Sequence, residues 1–176
     1  MIMPRGQQLL LPARPVFIWS SLMAALALNM LQNMALWGRA AWLPDMLAVV
    51  LVFWVTHQPQ RIGVGTAFAL GLAMDIHQSA LLGQHALAYT ALSFLANIMH
   101  RRLLWFTVPN QTVQVLPLFL LAHALTLVVR LLAGGVFPSW SIVLAPFIEA
   151  LLWPLVSVLL LLPQRQAPDP DANRPL

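Results

Sequence analysis

Six apolar segments follow one another along the chain, separated by short polar breaks or breaks that contain Gly or Pro. Only 8% of the residues are charged, against roughly 25% in soluble domains. The segments cover residues 16–37, 40–56, 62–76, 79–99, 108–133 and 141–162. They predict an all-α, polytopic membrane protein, with one six-helix transmembrane domain over residues 1–162 and a disordered cytoplasmic tail at 163–176.

The second and third segments are short for a bilayer crossing, and a re-entrant hairpin is the alternative. About 15 residues at roughly 1.5 Å each fall short of the roughly 30 Å of hydrocarbon. A hairpin, however, would place Arg61 inside the bilayer, at a cost of at least about 3 kcal/mol. Two short or tilted crossings are therefore predicted.

The arginines indicate the orientation of these crossings. The chain has nine arginines and no lysine, and the arginines occur singly or in one pair, which argues against a nucleic-acid-binding surface. With six crossings, both ends of the chain lie on one side of the membrane. That side receives every arginine except Arg39 and Arg130, so the positive-inside rule predicts that both termini are cytoplasmic.

Polar residues within the predicted helices concentrate in the outer half of the membrane. Because polar groups in hydrocarbon must pair or face a cavity, we expect them to cluster. The candidate intramembrane polar cluster consists of Asn29, Gln32, Asn33, Asp45, Arg130 and Glu149. Glu149 is either a functional group or, as we favour, a protonated or Arg130-paired residue that holds helices together.

The third segment carries two rows of small residues at four-residue spacing. One row contains Gly63, Ala67 and Gly71, and the adjoining row contains Gly65, Ala69 and Ala73. Such rows let helix backbones approach closely in a membrane. Packing within the bundle is the favoured interpretation, and docking of a partner helix is the alternative.

Asp75 ends the same segment and has three interpretations. It could cap the following helix, pair with Arg130, or serve as a catalytic or ion-coupling carboxylate. The first two are favoured because no second acid or base lies at a useful spacing nearby. Gly83 is expected to relax the backbone at the start of the fourth helix, and with Asp75 it completes the candidate packing or docking set.

Catalytic and cofactor-binding patterns are not found in the sequence. There is no cysteine, no Ser/Lys pair and no Gly-x-Ser-x-Gly motif. The five histidines fall at different depths or too far apart for a metal site, so neither a metal nor a cofactor is expected.

Four stretches resemble the rod-shape-determining MreD family of bacteria. They are "LPDMLAVVLVFWVTHQPQRIGVGTAFALGLAMD" at 43–75, "ALLGQHALAY" at 80–89, "RRLLWF" at 101–106 and "EALLWPLVSVLLLLPQR" at 149–165. The family-like positions are Pro44, Asp45, Arg61, Gly63, Gly71, Asp75, Gly83, Trp153 and Pro154. The sequence "DIHQS" departs from the family, which often has Gly after the acid.

The resemblance implies a non-enzymatic, multi-pass protein of the inner membrane that takes part in cell elongation. Its expected partners are a single-span periplasmic protein of the MreC type and, indirectly, the actin-like cytoskeletal filament and the wall-synthesis enzymes. The residue pattern also fits an alternative, the small-molecule-binding subunit of a vitamin-type transporter, because such proteins have about six short helices and a pocket that opens outward.

Overall fold

The structure is a computed structural model that describes residues 13–33 and 42–164. These two ranges contain six α-helices: α1 (Pro15–Asn33), α2 (Met46–His57), α3 (Val64–Gln78), α4 (Gln84–Trp105), α5 (Val108–Leu132) and α6 (Leu144–Leu161). Short 3₁₀ helices at Trp140–Val143 and Leu162–Gln164 flank α6. No β-strand is present in these two ranges, so the predicted all-helical class is confirmed. Pro163 and Gln164, the first two residues of the predicted tail, belong to the second of these 3₁₀ helices. The rest of the predicted tail, from residue 165, lies outside the described residues.

Several helices begin later than the apolar pattern predicts. Helix α2 begins at Met46 rather than at residue 40. Asp45 caps the helix, and Pro44 disfavours a helical backbone at the residue that precedes it. Helix α4 begins at Gln84 rather than at residue 79, since Ser79 and Gly83 both adopt left-handed backbone conformations, with φ of 50° and 104°. It then continues beyond the predicted end to Trp105.

Helix α2 forms the centre of the bundle. Every residue from Leu47 to Thr56 is buried, and α2 packs against α1, α4 and α6. This follows from its sequence, because a helix that is apolar on all sides is buried by its neighbours. Its 12 residues span only about 18 Å, which is short for the membrane interior.

Helix α3 lies against α4 along its row of small residues. Ala67 and Gly71 are buried, and a Cβ atom on Gly71 would lie 2.4 Å from the Cα of Ala86 in α4. Gly63, Gly65 and Ala69 are exposed. Ala67 and Gly71 therefore make the contact within the bundle. In the adjoining row, Gly65 and Ala69 face outward, whereas Ala73 is partly buried against the core.

In the part of the chain that the structure describes, three stretches are long and apolar enough to cross a membrane: Pro15–Gln32, Val108–Leu132 and Trp140–Gln164. Met46–His57 is a shorter apolar helix. Large apolar side chains are exposed on the outer faces of α5 and α6, including Leu132 and Leu151. An apolar exterior of this kind is suited to lipid.

The substitution Gly71→Ala is expected to destabilise the bundle, because the new Cβ cannot fit unless α3 and α4 separate. Overpacking of this kind costs about 1–3 kcal/mol. The matched control is Gly65→Ala on the same helix, where a Cβ would have no neighbour within 4 Å. Thermal unfolding of purified protein in detergent measures both variants. Equal melting temperatures for the two would contradict the close α3–α4 contact.

Candidate functional site

The contacts between helix ends show which ends lie together. The Nε2 atom of His77 near the end of α3 lies 3.2 Å from the carbonyl oxygen of Met30 near the end of α1. A cavity opens on this side, where α2, α4 and α6 begin, and we call the side the cavity end. On the opposite side, Arg61 donates a 2.7 Å hydrogen bond to the carbonyl oxygen of Ala13. That side also holds Arg101 and Arg102, and we call it the arginine end.

Asp45 connects three helices at the cavity end. As the N-cap of α2, it accepts a 3.0 Å hydrogen bond from the backbone N–H of Ala48. Its carboxylate also accepts hydrogen bonds from the Nδ2 group of Asn29 in α1 and the hydroxyl of Tyr89 in α4. The Oδ1 atom of Asn29 accepts from the backbone N–H of Met46 at 3.0 Å. These bonds hold the start of α2 between α1 and α4.

Glu149 joins α6 to the same centre. Its side chain is fully buried, and its Oε1 atom accepts a 2.8 Å hydrogen bond from the backbone N–H of Asp45. The same oxygen lies 3.3 Å from the Nε2 atom of His123 in α5. The other ring nitrogen of His123 faces the carbonyl oxygen of Phe119 at 3.2 Å. Since both nitrogens face oxygens, either the imidazole carries two protons or Glu149 carries one.

Asp75 has the geometry of a cap for α4. One oxygen accepts from the backbone N–H of Gly83 at 2.9 Å, and the other from that of His85 at 2.8 Å. The Nδ1 atom of His85 also lies 2.8 Å from the carboxylate. Because the first N–H groups of a helix have no partner within it and carry partial positive charge, a buried carboxylate is stable there. This geometry matches the first of the three sequence interpretations.

The buried carboxyl groups of Asp75 and Glu149 have different ion-pair partners from those expected. Two ion-pair contacts occur within residues 13–33 and 42–164, and they join His85 to Asp75 and His123 to Glu149. Arg130 is exposed and takes part in neither. The predicted pairing of Arg130 with Asp75 or Glu149 is therefore wrong. Sequence spacing placed Arg130 at the correct end of the bundle, but it did not show that Arg130 lies out of ion-pair contact with the buried acids.

A cavity of about 940 Å³ opens among these residues at the cavity end. Its polar lining includes Asn29, Gln32, Asp45, Tyr89, His123 and Arg130. The structure thus brings together five members of the predicted polar cluster, since Glu149 lies directly behind Asp45 and His123. The side chain of the sixth, Asn33, lies outside the described part of the chain.

The sequence prediction missed Tyr89, His85 and His123. His85 and Tyr89 are four residues apart and therefore share a face of α4, and Tyr89 is the single tyrosine of the chain. That combination was a usable signal. His123 lies in the middle of an apolar segment, and its proximity to Glu149 depends on how α5 packs against α6.

The hydrogen bonds of this centre hold helix ends together around a polar cavity. The carboxylates of Asp45 and Asp75 are engaged by backbone and side-chain donors. Within the described ranges, no group of three or more His, Asp or Glu residues is arranged to hold a metal ion.

Fold and site together define an all-helical membrane protein whose helices are joined by a buried polar centre. A family model described as rod shape-determining protein MreD matches residues 13–162. The rod shape-determining protein MreD of Haemophilus influenzae is 28% identical over an alignment of 153 residues, and the alignment covers 84% of this chain and 92% of that protein. No solved structure matches the chain. The chain belongs to the MreD family of rod shape-determining proteins.

The substitution Asp75→Asn is expected to cost at least about 2 kcal/mol, because the new amide directs N–H groups at backbone N–H donors. Glu149→Gln is expected to cost less than about 1 kcal/mol. Its Oε1 atom can still accept from Asp45, and the other oxygen, Oε2, has no hydrogen-bond partner to lose. Unfolding of both variants in detergent measures the difference. A loss for Glu149→Gln as large as that for Asp75→Asn would show that the charge on Glu149 is needed.

Proposed function

We propose that this protein is a non-enzymatic scaffold of the bacterial cell-elongation complex, required for rod shape and for lateral peptidoglycan synthesis. The match to the MreD family over residues 13–162 carries this proposal, because it includes all six described helices. The match gives no support to the alternative of a transporter subunit. The buried polar centre supports a scaffolding role, since its hydrogen bonds fix helix ends relative to one another.

We further propose that six helices cross the inner membrane and that both termini are cytoplasmic. The distribution of arginines supports this topology. Arg14, Arg61, Arg101 and Arg102 belong to the arginine end, whereas Arg130 belongs to the cavity end. By the positive-inside rule, the arginine end faces the cytoplasm.

Reporter fusions test this topology. Fusions at residue 1 and at residue 176 should both report the cytoplasm, and a reporter inserted in the exposed α3–α4 connection at Leu82 should report the opposite side. Phosphatase activity and fluorescence of the fused reporters provide the measurement. Reporters at the two termini on opposite faces would exclude an even number of crossings.

The proposed partner is a single-span protein of the MreC type, whose transmembrane helix binds the outward face of α3. The cytoskeletal filament and the wall-synthesis enzymes are then indirect partners. Gly65 and Ala69 are exposed small residues that allow a close helix approach. Phe68 and Ile76 on the same outward side are 47% and 69% exposed, and they would gain van der Waals contacts with the partner. The row with Ala67 and Gly71 is not proposed as the docking surface, because α4 already covers it.

The substitution Ala69→Leu is expected to reduce the amount of single-span partner that co-purifies, because the larger side chain prevents close helix approach. A tenfold weaker association corresponds to about 1.4 kcal/mol, a loss that one misfitting side chain can cause. The matched control is Ala124→Leu on α5, which is also exposed. In cells depleted of the wild-type protein, Ala69→Leu should leave rounded cells, whereas Ala124→Leu should restore rods.

Two outcomes would contradict these proposals separately. If Ala69→Leu retains the partner as well as Ala124→Leu does, α3 is not the docking face. If depletion of the protein leaves rod shape intact, the scaffold function itself is excluded. Equal protein levels of the two variants in membranes establish that the comparison reports binding rather than folding.

A further inference from the structure

Two opposite charges line the cavity without contacting each other. Asp45 and Arg130 are both lining residues, yet the ion pairs found within residues 13–33 and 42–164 include neither of them. The donors that surround the carboxylate of Asp45 are the neutral groups of Asn29, Ala48 and Tyr89. In a cavity near lipid, a carboxylate and a guanidinium are each stabilised by a partner of opposite charge.

Arg130 is held at the cavity by the connection between α5 and α6. The backbone N–H of Gly135 donates a 2.9 Å hydrogen bond to the carbonyl oxygen of Arg130. A Cβ atom on Gly135 would lie 2.8 Å from the Cγ atom of Arg130. The connection therefore packs on the aliphatic part of the arginine side chain, and Gly135 lines the cavity beside it. This contact positions the base of the side chain and leaves the guanidinium accessible.

The region behind Asp45 adds no net charge. Glu149 faces His123 there, and its Oε1 atom accepts from the backbone N–H of Asp45. The cavity thus has an acidic position at Asp45 and a basic position at Arg130. Met74, Ala88 and Ala122 supply apolar wall between the polar groups.

We propose that the cavity binds a zwitterion, with an ammonium group at Asp45 and a phosphate or carboxylate at Arg130. Phosphoethanolamine has this chemistry, and it can come from the headgroup of a membrane lipid or from a free molecule. The cavity volume of about 940 Å³ lies within the roughly 300–1,000 Å³ of small-molecule sites. Because the cavity lies at the helix ends, the headgroup of a lipid beside the bundle is at the same level. The inference requires the proposed membrane-spanning arrangement but no protein partner.

Native mass spectrometry of the purified full-length chain tests this proposal with three probes: phosphatidylethanolamine, phosphatidylglycerol and free phosphoethanolamine. Phosphatidylglycerol carries the phosphate but lacks the ammonium group. We expect phosphatidylethanolamine or phosphoethanolamine to bind about tenfold more tightly than phosphatidylglycerol, the size of effect that one charge-assisted hydrogen bond provides.

Two variants separate the charged groups. Arg130→Gln should weaken binding of the zwitterionic probe about tenfold, and Asp45→Asn should abolish the preference over phosphatidylglycerol. Asparagine also serves as an N-cap, so the start of α2 is retained. The matched control is Arg102→Gln, which removes an exposed arginine at the arginine end and should leave binding unchanged. Since Arg130 is exposed, its variant remains informative even if Asp45→Asn fails to fold.

Retention of phosphatidylethanolamine that depends on Arg130 supports a lipid headgroup as the occupant, and binding of free phosphoethanolamine with the same dependence supports a soluble zwitterion. Equal affinity for phosphatidylethanolamine and phosphatidylglycerol in the wild-type protein, together with no binding of phosphoethanolamine, would overturn the proposal. An equal loss of binding in Arg130→Gln and Arg102→Gln would also overturn it. Both scaffold tests described above remain independent of these results.

Discussion

The need of the carboxyl groups of Asp45, Asp75 and Glu149 for hydrogen-bond donors is the constraint on which the rest of the structure depends. Moving an isolated carboxylate from water into a low-dielectric interior costs of order 20 kcal/mol in the idealised case. The chain meets this cost with backbone N–H groups at the starts of α2 and α4, which need acceptors in any case. Each carboxyl group therefore stabilises a helix end, and each helix end stabilises a carboxyl group.

This arrangement determines the shape of the bundle at the cavity end. Asp45 holds α1, α2 and α4 together, and its backbone N–H connects them to α6 through Glu149. The buried α2 then occupies the centre, and the close approach of α3 to α4 at Gly71 completes the interior. Apolar faces remain on the outside, where lipid or a partner helix can contact them. Internal order at one end and an apolar exterior are the physical basis for the proposed scaffolding role.

Much of the site could be predicted from the sequence, for a definite reason. Polar residues in long apolar segments are costly unless they meet one another, so Asn29, Asp45 and Glu149 could be grouped from depth alone. Depth does not report direction around a helix axis. Arg130 therefore received the wrong partners, and His123, which contacts Glu149, was not recognised. Similarly, the two rows of small residues on α3 were recognised from spacing, but their burial differs because only one row faces α4.

The sequence by itself determined that six helices form, that the chain is too apolar for a soluble fold, and that Asp45, Asp75 and Glu149 lie near helix ends. These properties are local, since they follow from hydropathy, from capping residues and from the residues that break helices. Only the tertiary structure decided which face of each helix points inward and which donors each carboxyl group meets. In helices that are apolar on nearly all sides, no polar face indicates an orientation. The choice then rests on side-chain packing and hydrogen bonds between segments distant in the chain.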